Sequence, residues 1–265
     1  AQVVAVADIE LARARGETSV IGNIPLPYVP LAPSVQIYSD GRDLIAQAEV
    51  DLVDLCLPTP LHAEMAIWAA EAGLHVLTEK PMALNTAEAQ RMIEAARRHG
   101  VELMVAQCVR FWPEYQWLKA AVDDGRLGRL LQATFSRTGA APRWSARNWM
   151  RDATQSGGGI LDLHIHDVDF ANHLFGPPAT LYATGVRTSL TGGYDVVTAQ
   201  YTYAGGPRLT LHCALHDAPA KRFQAGYVAL FEQGVVVYDP CVQPSLVLYR
   251  NDVEAGEPLA VTGDA

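Results

Sequence analysis

Apolar runs broken at regular intervals give the first hundred residues a strand–helix beat. Val3 to Ala7 is an apolar run that stops at Asp8, and Leu11 to Arg15 opens a short helix. Gly22 to Pro33 carries prolines at positions 25, 27, 30 and 33 and reads as a loop. Asp51 to Leu57 is a strand, apolar enough along its length for burial on both faces, and it ends at Pro58-Thr59-Pro60. A helix from Leu61 to Ala72 closes at Gly73, the usual glycine position past a helix end. His75 to Leu77 is the next strand and runs into Thr78-Glu79-Lys80-Pro81. Asn85, with Glu88 three positions on, then caps a helix that ends at Gly100 behind Arg97, Arg98 and His99. Val101 to Ala106 adds one more strand. This alternation predicts a parallel, doubly wound, Rossmann-like sheet over residues 1–106.

Beyond Gln107 the beat changes. Pro113 sits where a first helical turn tolerates proline, and that helix runs to about Asp124 before Gly125. From Leu130 strands dominate: Leu209, Leu211, Cys213 and Leu215 alternate with Thr210, His212, Ala214 and His216. Tyr227 to Phe231 and Val235 to Tyr238 flank Glu232-Gln233-Gly234, read as a three-residue hairpin loop. One helix, about Ile160 to Phe175, interrupts the strands. Residues 107–265 therefore read as an α+β domain on a large, mostly antiparallel sheet with one open face, a surface suited to contacts between subunits.

Composition narrows the function classes. Of the 265 residues 49% are hydrophobic and 18% charged, which favours a packed core over disorder. Lys and Arg total 20 against 29 Asp and Glu, a net charge of −9, which argues against nucleic acid and anionic membranes as partners. No apolar run approaches the roughly 20 residues needed to span a bilayer, so a soluble, cytoplasmic protein is expected. Cys56, Cys108, Cys213 and Cys241 are scattered without a CxxC pair and read as reduced, buried thiols. The chain begins at Ala1 directly in a strand pattern and stops at Ala265 without a closing element. Both ends read as cut from a longer product, which leaves an N-terminal targeting segment open.

Chemistry collects at a few places. Asp8 ends the first strand, where an acidic residue in a nucleotide-binding sheet accepts the adenosine ribose hydroxyls; an aspartate there equally caps the next helix. Pro58-Thr59-Pro60 lies at the C-terminal edge of a parallel strand, where open α/β sheets bind ligands, and the two prolines would present the Thr59 hydroxyl. At the next such edge Lys80 is either a group that manages a substrate hydroxyl proton or a solvated lysine paired with Glu79. Gly157-Gly158-Gly159 precedes a helix on which Asp162 and His166, four apart, share a face with Asp169 and His173 while His164 points elsewhere. An aspartate one turn from a histidine suits proton transfer. Metal binding and a merely capped, paired helix are the alternatives, and the spacing matches no zinc signature. Arg110, Trp112, Tyr115, Trp144 and Trp149 supply flat surfaces beside polar groups, either for stacking on a sugar or as ordinary core.

Taken in order, Asp8, Pro58-Thr59-Pro60-Leu61-His62, Glu79-Lys80-Pro81, Arg110-Phe111-Trp112-Pro113 and Gly157-Gly158-Gly159 with Asp162 and His166 make a recognisable series. The chain resembles the glucose–fructose oxidoreductase / inositol dehydrogenase (Gfo/Idh/MocA) family. The resemblance implies a Rossmann domain over 1–106 and a substrate and oligomerisation domain over 107–265, assembling as a homodimer or homotetramer through its sheet. It implies NAD(P)-dependent hydride transfer at a sugar, polyol or inositol-like carbon. Carried over, Lys80 is the catalytic lysine, Asp162 positions substrate and His166 is the acid/base partner. Asp8 takes the adenosine ribose, and Thr59, Pro60 and His62 line the nicotinamide side, with Pro58, Glu79 and Lys80 also in the cofactor site. Arg110, Trp112, Trp144 and His164 would face the substrate. Three departures stand out: the first strand with its Gly-x-Gly-x-x-Gly turn is absent, Leu61 replaces the usual Asn, and His164 replaces a small residue. Asp8 favours NAD over NADP, because a carboxylate repels a 2′-phosphate, although Arg13 and Arg15 lie on the next helix. No metal is expected. The alternative from another class is a non-catalytic nucleotide- or sugar-sensing regulator, which has no chemical reason to keep Lys80, Asp162 and His166 together.

Overall fold

The computed structural model describes residues 2–17 and 30–261. The proline-rich stretch from Gly22 to Val29 and the last four residues lie outside them. The described chain forms two compact units, one comprising residues up to Ala106 with Trp144–Trp149, the other Gln107–Arg143 with the residues from Met150 onward.

In the first unit strands and helices alternate: β1 (Ala5–Ala7), α1 (Leu11–Ala14), β2 (Gln36–Tyr38), α2 (Gly41–Gln47), β3 (Leu52–Leu55), α3 (His62–Glu71), β4 (His75–Thr78), α4 (Thr86–His99) and β5 (Leu103–Val105); of these, β2 and α2 have no counterpart in the sequence pattern. Every strand pairing is parallel, but the sheet is in two pieces, β1 with β2 and β3-β4-β5. No strand among the described residues bridges them. Val53, Leu55 and Val76 pack with Ala63, Ala66 and Ala69 of α3 and Met92 of α4. Burial of β3 on both faces does not occur: Leu52 is 49% exposed and Asp54 is exposed too, because β3 is an edge strand covered from one side. The start of α4 follows its capping signal, with Asn85 Oδ1 accepting the Glu88 N–H at 3.0 Å. The Glu88 carboxylate reaches back to the Leu84 N–H, at 3.3 Å.

The second unit runs α5 (Pro113–Asp124), β6 (Leu130–Ala140), α6 (Ala153–Ser156), a π-helical turn (Ile160–His164) and α7 (Ile165–Phe175). It continues with β7 (Thr180–Arg187), β8 (Tyr194–Thr202), β9 (Arg208–His216), β10 (Gln224–Phe231), β11 (Gly234–Tyr238), β12 (Leu246–Arg250) and β13 (Glu257–Pro258). These strands and β6 form one eight-stranded sheet, ordered β13-β12-β11-β10-β6-β9-β8-β7 and antiparallel except between β6 and β9. Phe135, Leu211 and Tyr227 on its inner face pack with Tyr115 and Leu118 of α5 and Phe170 of α7. The outer face leaves Leu131, Val228, Leu230 and Tyr249 exposed.

Three expectations need correction here. The strands are interrupted by α6 as well as by the long helix, since Asp152 caps a further short turn through the Thr154 N–H at 2.9 Å. The hairpin loop has two residues, because Gly234 already pairs with Phe231. None of the four cysteines forms a disulfide, but only Cys213 is buried; Cys56, Cys108 and Cys241 are exposed. Burial pushes the Cys213 thiol up to about 12. No helix among the described residues is long and apolar enough to cross a membrane.

Candidate active site

In the first unit the expected residues lie at the C-terminal ends of parallel strands. Asp8 follows β1, and its carboxylate oxygens serve the entry to α1: Oδ1 accepts the Glu10 N–H at 2.8 Å and Oδ2 lies 3.5 Å from Arg13 Nη1. Arg13 is also bound to Glu10 at 2.7 Å. After β3, Pro58 leads into a 3₁₀ turn over Thr59–Leu61, closed by the Leu61 N–H on the Pro58 carbonyl at 2.9 Å. The turn does not present Thr59: that residue is 1% exposed, while Pro60 and Leu61 face outward. The turn after β4 holds half-buried Glu79 and Lys80 and a cis Lys80–Pro81 peptide. It is tied to the neighbouring strand by the Glu79 N–H on the Leu55 carbonyl at 3.1 Å. His62, expected on the nicotinamide side, is fully buried, with Nε2 at 2.8 Å from the Leu57 carbonyl oxygen and Nδ1 at 2.9 Å from that of Pro81. Trp144, grouped with this unit, is exposed.

In the second unit the glycine run is a packing device. Gly157, at φ +76°, ends α6, and a Cβ on Gly159 would stand 3.0 Å from the carbonyl oxygens of both Tyr194 and Asp195. The helix that follows begins as a π turn. An α-helix advances about 100° per residue, so four steps overshoot one full turn; a π turn advances less and takes part of the overshoot back. Asp162 and His166, separated by two steps of each kind, thus stand closer to one above the other on the backbone than an unbroken α-helix would put them. Asp162 and His164 are buried and His166 half-buried.

The carboxylates of α7 anchor it on two sides. Asp169 accepts Arg110 Nε at 2.7 Å and Nη2 at 2.5 Å, so the guanidinium fork expected at the substrate is committed to a helix contact. Asp167 accepts Arg137 Nη2 at 2.9 Å and Nε at 3.2 Å. That pair is enclosed, the two side chains being 1% and 0% exposed. Arg137 also donates to the Tyr115 hydroxyl at 3.3 Å and lies 5.7 Å from the centre of the Trp112 ring. Burial works against the Arg137 charge, and Asp167 more than restores it, leaving the guanidinium above its ordinary range. Trp112, half-buried and edge-on to Tyr115 at 5.8 Å, packs against the core. Sequence reading passed over Arg137, although parity marks it: Ala133, Phe135 and Arg137 share the inward face of β6.

His164 does not point away into solvent. Its Nδ1 is buried without a hydrogen-bond partner, and burial lowers its pKa below the ordinary 6.5 against the pull of Asp167, with His212 and Arg137 lowering it further. A lowered folded-state pKa means that the unfolded chain takes up the proton first. The stability contributed by neutral His164 is therefore complete above pH 6.5 and is lost as pH falls through the folded-state value. Urea denaturation of His164→Phe is expected to lose less stability between about pH 7 and pH 5 than the parent. His173, also lowered, by burial and then by Arg110 and Lys119, leaves a residual slope. Equal acid slopes in variant and parent would show that His164 is not buried neutral. Among the described residues no group of three or more His, Cys, Asp or Glu side chains is arranged to hold a metal ion.

Comparison with known proteins sets these features in a family. The model described as oxidoreductase family, NAD-binding Rossmann fold, matches residues 1–107, and that of the GFO/IDH/MocA C-terminal domain matches 115–237. A trans-1,2-dihydrobenzene-1,2-diol dehydrogenase of Bos taurus is 29% identical over 255 residues, covering 95% of this chain and 70% of its own. A myo-inositol 2-dehydrogenase of Thermotoga maritima is 38% identical over 141 residues, 52% of this chain and 40% of its own. The crystal structure of the WlbA dehydrogenase from Bordetella pertussis, in complex with NADH and UDP-GlcNAcA, aligns over 95% of this chain and 75% of its own, with TM-score 0.78 and 25% identity. The chain spans between about half and 70% of the length of the first curated relatives it matches.

Proposed function

We propose, for a chain that belongs to the GFO/IDH/MocA family of oxidoreductases, NAD-dependent hydride transfer at the alcohol or ketone carbon of a carbohydrate-like substrate. The observation that carries it is the joint presence of Lys80, in a turn at the end of a parallel strand, and of Asp162 and His166 on the π/α helix. NAD fits the residues present: Asp8 ends β1 with a partly exposed, acceptor-only carboxylate suited to a ribose diol. Arg13, on the helix that follows Asp8, is held by Asp8 and Glu10, which favours NAD over NADP. The dinucleotide, when bound, supplies the hydride donor or acceptor. Pro58, Pro60 and Glu79 border the same strand ends, with Thr59 shaping the turn from within.

Lys80 and His166 manage the proton of the reacting hydroxyl, since hydride leaves a carbon only as its hydroxyl proton is taken up, and the reverse in reduction. Asp162 orients the substrate. Diol, inositol and nucleotide-sugar chemistry among the relatives supports a polyhydroxylated substrate. The open sheet face suits a contact between identical subunits, and a cytoplasmic setting belongs to the same reading. The test is nicotinamide absorbance with NAD(H) and NADP(H) in parallel over a panel of sugars, inositols and diols. Turnover with NAD(H) is expected; bound NADH with no turnover on any substrate would overturn the reading in favour of a sensor.

A further inference from the structure

Two loops leave the neighbouring strands β3 and β4, and between them they hold Pro58, Pro60 and Pro81. Proline has no N–H, so these turns are short of backbone donors with which to bind each other. Their carbonyls still need partners where they are buried. A side chain from the next helix bridges them, its ring N–H donating to one carbonyl and its other ring nitrogen packed against the second. His62, the first residue of α3, is 0% exposed, and its two ring nitrogens face the Leu57 carbonyl at 2.8 Å and the Pro81 carbonyl at 2.9 Å. Leu57 immediately precedes the Pro58-Thr59-Pro60 turn, and Pro81 immediately follows Lys80. One rigid ring therefore spans the two loops that carry Thr59 and Lys80.

We infer that His62 is a positioning residue: it touches neither substrate nor cofactor and holds the Lys80 turn against the Pro58 turn through the carbonyls of Pro81 and Leu57. This moves His62 from the nicotinamide wall, where family resemblance put it, to the frame behind Lys80, and it rests on Lys80 acting at the reacting hydroxyl. An aliphatic side chain of similar volume fills the space without reaching either carbonyl. Asparagine reaches one carbonyl at most. A ring with nitrogens on two sides reaches both.

The test is steady-state kinetics of His62→Ala together with hydrogen exchange of its loops. Turnover is expected to fall on the order of 10²-fold, as for an ångström-scale misplacement of a reacting group. The KM for NAD and for substrate should stay within about twofold, because the ring is not a ligand contact. Amide exchange in the segment around Lys80 should rise while that of α4 is unchanged. Added imidazole, which has an N–H and a second nitrogen, should restore part of the turnover, and N-methylimidazole, with no N–H, should not. Equal rescue by both would reduce His62 to a space filler and overturn the inference; so would a raised KM for NAD with turnover intact, which would return His62 to the cofactor wall. Should His62→Ala not fold, His62→Asn carries the same comparison, with intermediate turnover expected. A Lys80→Ala control separates the two readings. If it keeps full turnover, the role of Lys80 fails; if it is impaired while His62→Ala is not, only the positioning role fails.

Discussion

Replacing His166 by alanine is expected to cut turnover about 10²–10⁴-fold, with Lys80→Ala falling in the same range, because each removes a group proposed to carry a proton in the transition state. The tightness of NADH binding should hardly change in His166→Ala, since that group is assigned to the substrate side. The two side chains come from different units, Lys80 from the end of β4 and His166 from the first turn of α7. Whether they act on one proton is read from the double variant. Two groups acting on the same proton are not additive: once one is gone, losing the other costs little more. Stopped-flow turnover and NADH titration of the two single variants and the double variant decide the matter. Losses that multiply would assign the residues to separate steps, and a His166→Ala enzyme within threefold of the parent would remove His166 from the chemistry.

The largest stability effect is expected at Arg137 and Asp167. Both charges are withdrawn from water, and each has the other as its principal compensation. Taking away one partner strands the other, at a cost of about 3–5 kcal/mol. Arg137→Ala and Asp167→Ala should both lower stability by that much in chemical denaturation followed by circular dichroism. Replacing the pair together, as Arg137→Met with Asp167→Leu, removes both desolvated charges at once and should recover most of the loss. Single variants within about 1 kcal/mol of the parent would mean that water reaches the pair. Because Asp167 is the residue after His166, the singly replaced variants should also lose turnover, whereas the doubly apolar one separates helix packing from charge.

Much of this was legible from the chain, and what was not has identifiable causes. Apolar runs and their breakers found β1, β3, β4 and β5 and the helices α1, α3 and α4 but missed β2 and α2, and Asn85 with Glu88 and Gly100 marked both ends of α4. The two-piece sheet was hidden, because apolar content shows that a strand can be buried but not which neighbour covers it; Leu52 is as apolar as Val53 and ends up in the open. Spacing four apart implied one α-helical face for Asp162 and His166, and the π turn is invisible to that rule. The partners of the charged residues were the hardest to read. Arg110 was sorted by the aromatic company it keeps in sequence, whereas its actual partner, Asp169, is 59 positions away. Thr59 and His62 show the same limit from the opposite side, since a motif names residues at a strand end without saying which of them turn inward.

The short β1–β2 ladder also has a consequence in the time domain. β1 and β2 share three registered residue pairs, whereas β6 is paired along most of its length with a neighbour on each edge. Amides in a ladder that short are released by local opening, while those in the middle of a broad sheet wait for its unit to open as a whole. Ligands at the two ends of the chain would then leave different kinetic traces. If Asp8 holds the dinucleotide as proposed, deuterium uptake in the β1–β2 ladder should slow on its addition, by mass action. If α7 holds substrate as proposed, uptake in β6 and β9 should stay almost unmoved, since a broad sheet already exchanges slowly. Cofactor and substrate are thereby distinguishable by where the deuterium clock slows, without any turnover being measured.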